Sequence, residues 1–405
     1  MDTGFFPLDE ELGLLPGKLT PWGHECLVRL CGWMPYEKAV EELGEMMGME
    51  VSKLVGEKYT EAAGAAYVQI QAAEVVELEA KQPKAQGGAE KMQISADGAM
   101  VPLLHGEWGE VKTLVVGEVQ MQEKKDGEKE VRTRKLSYFS RKMSSQEFQR
   151  QALVEIQRRG VENAEELVAV MDGADWEQGF IDFHCPQAVR ILDFAHATEH
   201  LNAIGEFLYG EHTPESQAWL SERAHHLKHD GPAAVLRELA KLHRKHSDSQ
   251  VIASHLAYLK KREAQMQYPT FQAQGWPIGS GIVESGNKLV VQARLKGAGM
   301  HWADEHVNPM LALRNILCSG RWKEEWPRIE LQLRKQARQR RILLHQKHQA
   351  ASSPPHEKQI LHDDYVALKL QKLASASTSP QPKKNPWRNF KHGKALYQHP
   401  VPPKK

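Results

Sequence analysis

The sequence predicts an α/β protein: a mixed β-sheet with covering helices, broken by an all-α insertion and preceded by a helical N-terminal domain. Three observations carry this. Between residues 92 and 193, β-branched alternating segments and helical segments follow one another as three strands, helix, strand, helix, strand. Residues 197–268 then read as wholly helical, and residues 18–65 carry apolar side chains at helical spacing only.

Length and composition agree with several domains. At 405 residues the chain is long enough for two or three. Its 41% hydrophobic residues can build a sizeable core, and 26% charged residues with a mean hydropathy of −0.55 describe a soluble protein. No apolar run approaches the roughly 18 residues of a membrane span, and the N-terminus lacks the basic and apolar regions of a signal peptide. Cys26, Cys31, Cys185 and Cys318 form neither a disulfide framework nor a CxxC pair, so a reducing, cytoplasmic setting is expected. The net charge of +1 decides nothing about nucleic acid. Its distribution says more: the C-terminal third is basic, while Glu37 to Glu61 leans acidic, and a near-neutral total can hide a basic face.

The elements follow in order. In the N-terminal domain (1–85), Cys26, Leu27, Leu30 and Cys31, then Ala39, Val40 and Leu43, fall on helical faces. Tyr36 to Met46, a turn near Met47-Gly48-Met49-Glu50 and a helix capped by Ser52 read as helix-turn-helix-like. Such a pair can lay its second helix in a DNA major groove, and a plain helical hairpin is the alternative. The polar segment 81–91, with Pro and paired Gly, marks a boundary. The first part of the catalytic core (92–196) begins with strands Met92 to Met100, Val111 to Gln122 and Val131 to Ser140. The last two are joined by Glu123-Lys124-Lys125-Asp126-Gly127, whose Asp-Gly is a hairpin signal. Helix Ser144 to Arg159, strand Leu167 to Met171, helix Trp176 to His184 and strand Val189 to Asp193 complete it. After the all-α insertion (197–270), the Gly-rich turn Gly275 to Gly281 leads into a helix with Glu284, in the final part of the core (271–322). A basic helix follows (323–350). The remaining stretch, 351–405, is rich in Pro, Ser and Lys and is expected to be disordered.

Three carboxylates stand out. Asp97 and Asp172 each close an apolar strand and precede a glycine; a carboxylate at a strand end projects from the rim of the sheet, and the glycine lets a substrate or metal-bound water approach. Glu284 lies just inside the helix after the Gly-rich turn. The separations are long, roughly 75 and then roughly 110 residues, so convergence depends on the fold. Singly, each Asp is also read as a turn or capping residue, and Glu284 as a solvated helix carboxylate. Together, in this strand order, they suit a hard divalent cation such as Mg²⁺. Two such ions about 4 Å apart can activate a hydroxyl and stabilise the leaving oxygen of a phosphodiester.

Four ordered motifs give the chain a resemblance over about residues 92 to 325: ISADGAM with Asp97, VAVMDGADW with Asp172, ILDFAHATEHL with a C/D-x-x-H pattern at Asp193 and His196, and GSGIVESGNKLVVQARLKGAGMHW with Glu284. In these it resembles the DDE transposases of bacterial insertion sequences, a group related to the Mutator-like transposases. The resemblance implies an RNase H-like catalytic domain with a helical insertion before the final Glu. It also implies catalysis by Asp97, Asp172 and Glu284 as ligands of Mg²⁺ or Mn²⁺, two ions in all. The partners implied are double-stranded DNA, as element ends and target, and a homodimer or higher oligomer assembled on it. The setting is the cytoplasm, on the nucleoid when DNA is bound. The family pattern further leads one to expect a cysteine-bearing zinc-binding stretch ahead of MDTGFFPLDEELGL, so the chain reads as an N-terminal truncation.

Other residues have two readings each. Asp193 and His196 are a pair that orients a catalytic carboxylate or meets DNA, or simply a structural Asp–His hydrogen bond. Asp193 and, more weakly, Asp175 are rivals of Asp172 for the second acid. His225, His226, His229, His184 and Cys185 lack a complementary Cys pair and read as solvated or core residues rather than a zinc site. Lys288, Arg294 and Lys296 are candidate phosphate contacts or a solvated face. Trp302 is a candidate for base stacking, with packing the plainer reading. Arg334, Lys335, Arg338, Arg340 and Arg341 form a basic run suited to a DNA backbone. The functional alternatives are a non-catalytic DNA-binding derivative of a transposase and another RNase H-like nuclease. The intact three acids speak against the first, and the long insertion with GSGIVES against the second.

Overall fold

The structure, a computed structural model, describes Leu15, residues 19–123 and residues 129–352. The expected hairpin turn at 124–127, the start of the chain and the Pro/Ser/Lys-rich tail beyond residue 352 lie outside the described residues. The chain divides into two compact units, 1–337 and 338–405.

Among the described residues, five strands make one mixed sheet in the order β3-β2-β1-β4-β5: β1 Lys91–Pro102, β2 Trp108–Glu123, β3 Lys129–Arg141, β4 Glu166–Met171 and β5 Val189–Leu192. β2 runs antiparallel to β1 and β3, while β1, β4 and β5 are mutually parallel. Side chains alternate between the faces, as the pleat requires. Met92, Ile94, Ala96, Leu114, Val116, Leu167 and Ala169 point to one core with Phe148 and Phe180. These come from α4 (Ser145–Gln151) and α6 (Asp175–His184); α5 (Leu153–Arg158) adds Ile156. The helix expected over Ser144–Arg159 thus comes as two, parted at Ala152. Ala99, Val101, Val111 and Val115 point the other way, onto α12 (Gly281–Gly286), a π-helical segment Asn287–Gln292, α13 (Ala293–Leu295) and α14 (Asp304–Cys318).

Val168, Val170 and Ile191, also on the second face, carry the helical insertion. It consists of α7 (Phe194–Tyr209), α8 (Pro214–His229), α9 (Pro232–Lys245), α10 (Gln250–Lys261) and α11 (Tyr268–Ala273), as the helical reading of 197–268 expects. The N-terminal helices are α1 (Pro21–Trp33), α2 (Tyr36–Met47) and α3 (Lys53–Lys81). They have a small core of their own in Leu27, Cys31, Ala39 and Leu43, and they also pack on the rest of the chain: Val28, Ala63, Ala66 and Tyr67 share a core with Ala312 and Ile316 of α14, and with Trp322 and Trp326 at the start of α15 (Trp322–Ser352). Gly64 lets α3 touch α14 backbone to backbone, since a Cβ there would lie 2.2 Å from the Pro309 carbonyl oxygen. The second helix of the helix-turn-helix-like pair is the 29-residue α3, buried along one face at residues that include Gly56, Thr60, Ala63 and Tyr67. No helix among the described residues is long and apolar enough to cross a membrane.

Candidate metal and active site

β1 does not end at Asp97, as the sequence suggests, but runs on to Pro102. Its parallel pairing with β4 stops at Ile94, and beyond that point β2 is its only strand partner among the described residues, with Asp97 opposite Thr113. Asp97 therefore stands where β1 and β4 part, on the same face as Ala99 and Val101. Asp172 directly follows the last residue of β4, and Gly173 turns the chain with φ of +83°. Neighbouring parallel strands thus deliver both aspartates to one rim.

A third acid joins them that sequence reading missed. Carboxylate oxygens of Asp97, Asp172 and Glu177 all lie within 4.8 Å of one another, a group able to hold a metal ion. Glu177 is almost fully buried, and its Oε2 accepts the N–H groups of Gly173 (3.0 Å) and Ala174 (3.1 Å). The readable signal is its place three residues after Ala174, the residue before α6: an acid there caps the free N–H groups of a helix start.

The electrostatics of the group favour a cation. Burial, and then the neighbouring Asp172, push the Asp97 carboxyl up to about 6; the Gly98 N–H and Asn287 amide pull the other way, and Glu284 adds to the rise. Burial and the same two aspartates push Glu177 much further, to about 11. Arg262 is close by, yet its donors are spent on backbone carbonyls, those of Gly173, with Nε at 3.1 Å, and Tyr258. An all-oxygen set crowded with like charge suits a hard divalent ion.

Glu284 sits apart from this tight group. It is exposed on α12, while Asn287, one turn on, is buried and donates from Nδ2 to Asp97 Oδ2 at 2.8 Å. The amide oxygen of Asn287, Oδ1, is buried without a hydrogen-bond partner. The segment carrying Glu284 is thus tied to Asp97, with the Glu284 charge within electrostatic reach of it.

No protein-family model matches this chain, and no curated protein matches it. The site must speak for itself.

The remaining expected residues fall into two groups. Asp193 is a structural acid: Oδ1 accepts the Ala195 N–H at 3.0 Å, capping α7, and Oδ2 accepts the Ser280 hydroxyl at 2.7 Å. The expected Asp193–His196 hydrogen bond is not formed, because Asp193 is committed to these donors and His196 pairs with Glu199 at 3.2 Å. Asp175 is exposed and paired with Lys261 at 3.1 Å. Arg294 and Trp302 are withdrawn from any DNA-contacting surface: both are buried, Arg294 donating to the Cys31 carbonyl at 2.9 Å and Trp302 to the Leu295 carbonyl at 3.2 Å. Lys288, Lys296, Arg334, Lys335, Arg338, Arg340 and Arg341 are exposed, with Arg334 paired to Glu330.

The histidines of α8 and the His184–Cys185 pair form no metal-ligating group; His184 Nε2 meets the Gln149 carbonyl at 2.7 Å instead. The one other group of this kind among the described residues is Glu57, Glu61 and His306, closed by a His306–Glu61 ion pair at 2.8 Å. Beside Asp172 opens a cleft of ≈ 650 Å³ edged by His196, His200, Tyr258, Lys261 and Arg262 of the insertion.

Proposed function

We propose that this chain is a metal-dependent DNA transposase with an RNase H-like catalytic domain, cutting phosphodiester bonds at element ends and joining the 3′-hydroxyls to target DNA. The observation that carries this reading is the meeting of Asp97 and Asp172 from adjacent parallel strands in one carboxylate group. The strand order β3-β2-β1-β4-β5 with β2 reversed, and the insertion of helices before the Glu284 segment, support the RNase H-like part. Mg²⁺ or Mn²⁺ fits the oxygen donors; when bound, such ions supply Lewis-acid activation of the attacking hydroxyl and stabilise the leaving oxygen. Asp97 and Asp172 hold the metal site, Asn287 orients Asp97, and Glu177 secures the start of α6 beneath Asp172. Exposed Lys288 and Lys296 are the cations of this segment that would meet phosphates.

The test is strand cleavage in Mg²⁺ of a DNA fragment carrying the sequences that flank the chain's own gene. Wild type is expected to cut, and Asp97→Asn to bind DNA but cut at least roughly 100-fold more slowly. Glu177→Gln and Glu284→Gln ask which is the third essential acid. Loss of cutting in Glu284→Gln alone supports the assignment that the resemblance implies. Loss in Glu177→Gln alone moves it to the buried acid. Equal cutting by wild type and Asp97→Asn overturns the reading.

A further inference from the structure

The helical insertion reaches the metal site through one column of side chains. Tyr258 of α10 donates its hydroxyl to the Asp172 carbonyl. One turn on, Arg262 donates to the carbonyl of Gly173. These are the backbone oxygens of the residue that supplies the second acid and of its neighbour. The loop is shaped to admit them: a Cβ on Gly173 would meet Arg262 Nε at 2.5 Å and Tyr258 Oη at 2.7 Å.

Tyr258 is itself held on both faces. His200 of α7 stacks on the ring, with centroids 3.9 Å apart and planes 14° from parallel. The Arg262 guanidinium carbon lies 3.7 Å from the same centroid. Two groups that close to one centroid cannot share a face, so the phenol is sandwiched between imidazole and guanidinium. His200 is fixed in turn by an Nδ1···Nδ1 hydrogen bond of 2.7 Å to His255 of α10, and His196 meets the Tyr258 ring edge-on at 5.8 Å. A ring clamped on both faces aims its hydroxyl in one direction.

We infer that Tyr258 and Arg262 are positioning residues, through which the insertion sets the Asp172 carboxylate for metal binding. The inference rests on the metal-site reading above. Neither residue touches the metal or the reacting atoms; they act on the backbone that carries the ligand, as outer partners do in other metal sites.

The experiment is a Mn²⁺ titration of the full chain, read by loss of the free-Mn²⁺ paramagnetic signal, with thermal melting and hydrogen exchange on the same samples. Asp97→Asn sets the baseline by abolishing the site. Tyr258→Phe keeps the stacked ring and deletes only the donor. Its Mn²⁺ affinity is expected to fall roughly ten-fold with an unchanged melting temperature, and exchange in the segment 172–174 is expected to quicken. Arg262→Lys, which keeps the charge but loses the forked donor, should fall several-fold. Should Tyr258→Phe fail to fold, His200→Leu loosens the column from its far end and should also weaken Mn²⁺ binding several-fold. Wild-type affinity in folded Tyr258→Phe overturns the inference. If wild type and Asp97→Asn take up Mn²⁺ alike, the metal-site reading fails and the inference falls with it.

Discussion

Asp172 and Glu284 are both held from outside the sheet, but by different domains and in different ways. Asp172 is steadied by the insertion through Tyr258 and Arg262, whose neighbours His196 and His200 edge an open cleft. Glu284 rides on a segment steadied by the N-terminal helices through two buried arginines. Arg314 of α14 donates to the carbonyls of Val290 (3.2 Å), Leu289 and Gly32 (3.1 Å), and Arg294 donates to that of Cys31. Cys31 and Gly32 lie in the last turn of α1, where carbonyls have no partner within the helix and the dipole favours a cation. Leu289 and Val290 lie in the π-helical segment, whose widened turns disturb the regular ladder. Arg314 closes both gaps at once. One arm is thus a clamp beside the open cleft, the other a buried structural tie. Arg262 is buried as Arg294 and Arg314 are and spends its donors on carbonyls as they do, so what separates the two arms is where the donated bonds end, beside the carboxylate group or in the seam between α1 and the π-helical segment.

The sharpest way to break that contrast is Arg314→Met. It keeps an unbranched side chain but strips three carbonyls, two of them in buried bonds, of their donor. Unfolding is expected to become easier by about 3–5 kcal/mol, measured by chemical denaturation. Tyr258→Phe should stay within about 1 kcal/mol of wild type, since only one hydrogen bond is lost. Similar losses in both would show that the two arms do the same job.

A second, smaller test lies at Gly173. Its positive φ and the close approach of Arg262 and Tyr258 both oppose a side chain. Gly173→Ala should cost about 1–3 kcal/mol through strain and overpacking. Wild-type stability would mean that the loop and α10 are looser than the contacts describe.

The same contrast explains what could and could not be read beforehand. The five strands were legible because alternation and β-branching follow local sequence, and Asp97 and Asp172 because strand, Asp and Gly sit side by side. The insertion was legible as helices. Its purpose was not, since Tyr258 meets Asp172 across 86 residues. Glu177 was hidden by an ordinary role, capping a helix, that says nothing of burial. For Arg294 the sequence leaves a phosphate contact and a solvated face open, because a cation near an active-site motif suits both, and only the bond to α1, 263 residues away, takes it inside; for Trp302 packing is the plainer reading, and its bond to the Leu295 carbonyl agrees. Asp193 and His196 make no hydrogen bond with each other for the same reason: the acceptors of Asp193 are already claimed by the start of α7 and by Ser280.

The smallest effect concerns pH, and its sign is set by two opposing sets of groups in metal-free protein. Burial lowers His24, His184 and His200 to about 4 each. The unfolded chain therefore binds protons that the folded one does not between about pH 4 and 6.5, and stability should rise with pH across that window. Asp97 acts the other way. With its carboxyl raised to about 6, the folded chain holds a proton that the unfolded chain releases above about 4, so its contribution falls as pH rises from 4 to 6. Buried Glu177 opposes the histidines in the same sense. Denaturation in chelator at pH 4.5 and 6.5 should show a net gain for wild type, and a gain about 1 kcal/mol larger for Asp97→Asn, which has no proton to lose there. A smaller gain in the variant would mean that the Asp97 carboxyl is not strained by its neighbours, removing the electrostatic case for a cation at this rim of the sheet.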